Sequence, residues 1–177
     1  MTEFLEVVKN RRSIRAFKDK PVEKEKIDQL LDCALRSPTG RAIRPWEFIV
    51  VTDPDVLKRL ANARGKGPNF LAGAPLGIVA LADGTMTDLW IEDTSIAATV
   101  IQLTAEALGL GSCWMQIRDR KYGDTGSSED YVREVLGIPE KYRVECIIAV
   151  GYEKEEKQPY TDAEIEKLKA RIHYNKF

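Results

Sequence analysis

Three guanidinium groups and a hydroxyl fall within five residues at Arg11-Arg12-Ser13-Ile14-Arg15. Arginine offers forked donors that match phosphate oxygens, so the cluster reads as a grip for a phosphate. A plainer reading is that basic residues at a helix C-terminus complement its dipole, at about 0.3–1 kcal/mol each. Adjacent cations repel, however; two unit charges about 4 Å apart cost roughly 4 kcal/mol at an effective dielectric of 20. A dianionic phosphate among them would relieve that repulsion. A second segment, Ser37 to Trp46 (SPTGRAIRPW), combines Pro38, Thr39 and Gly40. Such residues let a backbone approach a flat ligand and add a hydroxyl, although a simple helix-to-strand connection would look the same. A third, Leu108 to Gln116 (LGLGSCWMQ), is a glycine-punctuated turn leading into a strand whose edge can present N–H groups. It lacks the GxGxxG spacing and the strand-before, helix-after setting of a dinucleotide fingerprint, which excludes that reading.

What is missing narrows the chemistry further. His173 is the one histidine of 177 residues, so a Ser-His-Asp triad, a Cys-His dyad or a histidine-based metal site would all depend on that imidazole. Cys33, Cys113 and Cys146 lie far apart with no CxxC, against a disulfide framework or zinc ribbon. Cys113 has no evident activator and reads as a buried thiol rather than a nucleophile. With 27 basic and 28 acidic side chains, global charge favours neither nucleic acid nor an anionic membrane surface. No apolar run approaches the ~20 residues that span a bilayer, and a cytoplasmic location is expected. An enzyme of this composition would take its reactive atom from a cofactor.

The elements that must position these residues are legible in the periodicity. An amphipathic helix ends near Asn10, and a second runs from about Glu23 to Arg36 with Ile27, Leu30, Leu31 and Ala34 on one face. Trp46 to Thr52 reads as a strand, and Asp53-Pro54 supplies an N-cap and first-turn proline for a third helix. Pro75 to Ala82 is a buried strand, Thr87 to Leu108 a long helix packed on more than one side, and Ser112 to Ile117 another strand. Ser128 to Leu136 is a helix, Val144 to Gly151 a strand, and Thr161 with Glu164 a capping box opening a last helix. Length and pattern give one domain over residues 1–177, an α+β sheet covered by helices.

Taken in order, NRRSIRAF, SPTGRAIRPWEFIVV, NFLAGAP, WIEDTSIAATVIQLTAEALGLGSCWMQ and VECIIAVGY resemble the nitroreductase family of FMN-dependent NAD(P)H oxidoreductases, from about Thr2 to Gly151. The resemblance implies an α+β fold around a mixed central sheet, in an intertwined homodimer with each FMN at the subunit interface. It implies that Arg11 and Ser13 hold the phosphate with Arg12 assisting, and that Arg15 approaches the N1 end of the ring. Pro38, Thr39 and Gly40 would come from the partner subunit. Trp114, Met115, Gln116 and Ile117 would run past the ring, with the Gln116 N–H towards N5. Asn69 would meet the pyrimidine edge or else stabilise its loop, and Lys157, with Lys154 as rival, would be the C-terminal phosphate contact.

By the same resemblance, hydride passes from NADH or NADPH through flavin N5 to a small-molecule acceptor such as a nitroaromatic or quinone, in a ping-pong scheme. No side-chain acid or base is needed, in agreement with the histidine-poor composition. The family loop commonly reads Pro-Ser-x-x-Asn-x-Gln-Pro-Trp, whereas this chain has Ala42 and Arg44 at the asparagine and glutamine. The stretch before Pro75 is also short. These departures motivate an alternative, an FMN-binding storage or sensor protein with little turnover.

Overall fold

A computed structural model describes residues 4–65 and 70–177. The elements are α1 (Phe4–Asn10), α2 (Lys24–Leu35), β1 (Trp46–Val51), α3 (Pro54–Ala61), β2 (Leu76–Asp83), α4 (Trp90–Ala107), β3 (Gly111–Gln116), β4 (Lys121–Tyr122), β5 (Gly126–Ser127), α5 (Ser128–Leu136), β6 (Tyr142–Gly151) and α6 (Asp162–Leu168). No described helix is long and apolar enough to cross a membrane.

The sheet has strand order β1-β2-β6-β3. All three pairings are antiparallel. The mixed character expected of it comes down to one parallel bridge, Ser13 to Ser112, on the outer edge of β3. β2 and β6 are central and carry helices on both faces, which is why their sequences are nearly continuous apolar runs rather than alternating ones. Ile78, Ala80, Ile148 and Val150 pack on the side of α2 and α4, with Leu30, Ala98, Ile101 and Ala105. Val79, Leu81, Ile147 and Ala149 pack on the opposite side with Leu57, Leu60 and Val132 of α3 and α5. Small side chains on α4 (Ala97, Ala98, Ala105) bring its axis close to the sheet.

The helix starts read from sequence hold where a side chain caps. The Asp53 carboxylate accepts the N–H groups of Asp55 and Val56, and Thr161 with Glu164 forms the reciprocal box of α6. The long helix begins at Trp90, not Thr87; the Thr87 hydroxyl instead accepts the Leu89 N–H at 3.1 Å in a turn before it. The β4–β5 hairpin was not expected, each arm being two residues long.

The N-terminal segment crosses β3 at Gly111, where a Cβ would stand 2.7 Å from Ile14 Cγ1 and 2.8 Å from both Ile14 Cβ and Glu153 Cγ. Gly111→Ala should therefore cost about 1–3 kcal/mol in chemical denaturation, as overpacking does; an unchanged midpoint would show that the crossing is loose. Burial pushes the thiols of Cys113 and Cys146 above their ordinary range, while Cys33 is half-buried. A disulfide reagent at neutral pH should thus leave Cys113 and Cys146 unreacted in the native protein and titrate all three thiols only after unfolding.

Candidate functional site

The cation cluster is built by pairing on both sides of residues 12–18. The Ile14 N–H donates to the Ser112 carbonyl at 2.9 Å, and the Ile14 side chain is buried as an anchor. Alternation along an extended segment then turns Ser13 and Arg15 away from that anchor. The chain after β6 runs antiparallel along the same segment. The Lys18 N–H donates to Tyr152 O at 2.8 Å, the Lys154 N–H donates to Ala16 O at 3.0 Å, and Phe17 bridges Glu153. This zipper delivers Lys157, whose Nζ donates to the Ser13 carbonyl at 2.9 Å. Its rival Lys154 takes part through its backbone. Arg12 is committed elsewhere: its Nη1 donates to the Gln158 carbonyl, and its guanidinium lies 4.1 Å from the Tyr160 ring centroid.

Burial raises the Cys113 thiol, and Arg15, Lys157 and Arg11 oppose that rise, so all three charges lie near enough to be felt at this sulfur. Carboxylates rim the cluster without closing on it. Burial raises the Glu106 carboxyl while Arg11 lowers it. Burial also raises Glu153, helped by Glu106 and Glu156 and opposed by Lys157. Among the described residues, neither Arg11, Arg15 nor Lys157 has a carboxylate oxygen within 4.0 Å. A cleft of about 480 Å³ opens beside them, lined by Asn10, Lys18, Glu106, Tyr152, Glu153 and Lys157. The donors, left without a contact ion pair among the described residues although Glu106, Glu153 and Glu156 stand nearby, fit a phosphate.

β3 presents a free edge next to this cluster. Its inner side bonds to β6, and the Ile117 N–H donates to Glu145 O at 3.1 Å. Because N–H and C=O groups alternate sides along a strand, the Ser112 carbonyl that receives Ile14 fixes the outward set. The N–H groups of Trp114 and Gln116 belong to it and point away from β6. Met115 and Ile117 have the opposite phase, with side chains buried on the α3–α5 face. Trp114 and Gln116 are half-buried and joined, the indole Nε1–H donating to Gln116 Oε1 at 2.8 Å.

The loop with Pro38, Thr39 and Gly40 lies elsewhere. The Gly40 N–H donates to Asp93 Oδ1 at 2.9 Å and the Arg44 N–H to Thr39 Oγ1 at 3.3 Å. Arg41, Ala42 and Arg44 adopt left-handed φ values of 55°, 56° and 54°. Asp93 belongs to the first turn of α4, whereas Glu106, beside Arg11, belongs to its last. Thirteen residues of helix separate them, about 20 Å at 1.5 Å per residue. One chain therefore does not bring Pro38–Gly40 to the cation cluster. Asn69 lies outside the described residues.

Sequence reasoning passed over Asp93, Glu145 and Arg118. Glu145 was visible only as a charge in the apolar run VECIIAVG. Its carboxylate is buried and receives Arg118 Nε at 2.8 Å and Gln116 Nε2 at 3.1 Å. Asp93 and Arg118 carried no sequence signal.

Comparison with known proteins bears on the same elements. The family model described as "Nitroreductase family" matches residues 8–69 and 63–152. An FMN-dependent nitroreductase from Clostridium difficile R20291 superposes with a TM-score of 0.94 at 50% identity, covering 98% of this chain and 99% of that one. A protein of Archaeoglobus fulgidus with a provisional NADH dehydrogenase/NAD(P)H nitroreductase name is 35% identical over 181 residues, 100% of both chains. An FMN reductase (NADPH) of Bacillus subtilis is 28% identical over 172 residues, 86% of this chain and 66% of its own length. Lys157 lies past the matched span, yet the zipper ties it to residues inside it. The extent of the match and the shared architecture establish that the chain belongs to the nitroreductase family.

Proposed function

We propose that the protein is an FMN-dependent oxidoreductase that takes hydride from NADH or NADPH and reduces a small acceptor such as a nitroaromatic or quinone in a ping-pong scheme. The observation that carries this reading is the group of cations at Arg11, Arg15 and Lys157, with no carboxylate in contact among the described residues, beside the outward N–H groups of β3. The names of relatives in Clostridium difficile and Bacillus subtilis, an FMN-dependent nitroreductase and an FMN reductase (NADPH), support it.

Bound FMN supplies a two-electron carrier that the side chains of this protein lack. Arg11, Lys157 and the Ser13 hydroxyl hold the phosphate, and a charge-assisted hydrogen bond from each is stronger than a neutral one. Arg15 would place positive charge near the end of the ring that becomes negative in the reduced cofactor, and so would favour that form. Held by its pairing with β6, β3 would offer the outward Gln116 N–H to the ring's reacting edge. Arg12 fastens the segment that carries Lys157 and so supports the phosphate contact indirectly.

A homodimer completes the site in this reading, because Pro38, Thr39 and Gly40 reach a flavin only from a second copy. A larger cleft of about 710 Å³ between α1, α2 and α4 supports it, lined by apolar groups including Phe4, Val7, Leu103 and Leu108. Phe4 and Leu5, 67% and 65% exposed, extend that apolar surface. Such patches mark association surfaces.

The purified protein should be yellow, with flavin absorption between about 350 and 500 nm; a colourless preparation that takes up no added FMN would overturn the reading. Arg11→Ala should weaken FMN binding by about 1.5–3 kcal/mol, the size of a charged hydrogen bond, and an unchanged dissociation constant would remove Arg11 from the phosphate site. Light scattering should give twice the mass of one chain, and a flavin-loaded monomer would exclude the shared site. Steady-state lines at varied NAD(P)H and acceptor should be parallel. Bound FMN without NAD(P)H oxidation would favour the storage or sensor alternative.

A further inference from the structure

β6 is interrupted once. Its register against β2 runs from Val150 to Cys146 and then skips to Val144, leaving Glu145 without a partner on β2. The skip changes faces: Cys146, Ile148 and Val150 pack on the α2–α4 side, but Val144 joins the α3–α5 side. A bulge of this kind re-aims a side chain. Here it aims a carboxylate that is only 3% exposed.

The contacts of that carboxylate run to β3 and the turn after it. Glu145 Oε2 accepts from Arg118 Nε at 2.8 Å, Oε1 accepts from Gln116 Nε2 at 3.1 Å, and the Glu145 carbonyl accepts the N–H groups of Ile117 and Arg118 at 3.1 Å each. Gln116 Oε1 in turn accepts the Trp114 indole N–H at 2.8 Å. Only one of the two orientations of the Gln116 amide serves all its neighbours, oxygen to the indole and nitrogen to the Glu145 carboxylate and, at 3.2 Å, to the Arg118 carbonyl. A buried ion pair adds little net stability compared with an apolar pair of similar volume, so its effect lies in the arrangement it enforces. That arrangement fixes the two residues whose backbone N–H groups form the free edge.

We propose that Glu145 is the positioning residue of the flavin-facing edge: from the bulge in β6 it fixes the Gln116 amide, and through it the Trp114 indole and the line of β3. The proposal rests on the flavin reading above. Arg118 balances the charge of Glu145, and Asp119 pairs with the far side of Arg118. The phosphate cations are separate from this chain of contacts.

Riboflavin, which lacks the phosphate, tests the ring contacts alone. Glu145→Gln and Gln116→Leu should each weaken riboflavin and FMN by the same factor, about tenfold, the size of one hydrogen bond. The double variant should bind no more weakly than either single one, because both act through one amide. In flavin-free protein the Trp114 indole N–H, assigned by its loss in Trp114→Phe, should exchange with solvent faster in Glu145→Gln than in wild type. Unchanged riboflavin affinity in Glu145→Gln with a lowered melting temperature, or losses that simply add, would overturn the proposal and leave Glu145 a structural role only. If Glu145→Gln does not fold, Glu145→Asp, with the charge kept and the reach shortened, is read the same way. Wild-type protein that binds neither flavin would sink the flavin reading itself, and the indole exchange would then decide the Glu145 relay by itself.

Discussion

A single main-chain hydrogen bond, from the Ile14 N–H to the Ser112 carbonyl, sets the geometry on which the candidate site depends. It seats the segment after α1 on the outer edge of β3, with the Ile14 side chain sealed beneath it. From that anchor, strand alternation decides which groups face outward: Ser13 and Arg15 on the segment, Trp114 and Gln116 on the strand. The chain after β6 then zips along the other side of the same segment and carries Lys157 to Ser13. Backbone pairing and one apolar anchor, rather than ion pairs, thus oppose the mutual repulsion of the cations. Their charge is left available to an incoming anion.

The acidic residues nearby fit this picture. Glu106, Glu153 and Glu156 lie close enough to influence one another and the cations, yet they form no contact ion pair with Arg11, Arg15 or Lys157 among the described residues. Had they closed on the guanidiniums, a phosphate would have to break those pairs before binding. Held at the rim, they soften the positive field without competing for the donors.

Much of this architecture is legible in the sequence because its signals are local. Asp53-Pro54 and Thr161 with Glu164 announce helix starts through side chains that cap within the same turn. The apolar runs of β2 and β6 follow from burial on both faces. Lys157 could be singled out only weakly, since it reaches Ser13 through a pairing across 144 residues. The resemblance gave Arg12 an assisting place at the phosphate, whereas Gln158 and Tyr160 engage it. Glu145 was hidden for a different reason. A charge inside an apolar strand reads as an exception until the bulge shows where the carboxylate is aimed. Long-range register is not written in any short window of residues.

A left-handed backbone costs an ordinary L-residue about 1–2 kcal/mol, and the loop after Pro38 adopts it at Arg41, Ala42 and Arg44. Each is a place where glycine would relax the chain, yet each keeps a Cβ. The loop is therefore wound rather than slack, its shape held by Asp93 below and Thr39 within. Glycine at Ala42 would relieve that winding and keep both guanidiniums of the loop, whereas glycine at Arg41 or Arg44 would remove one of them.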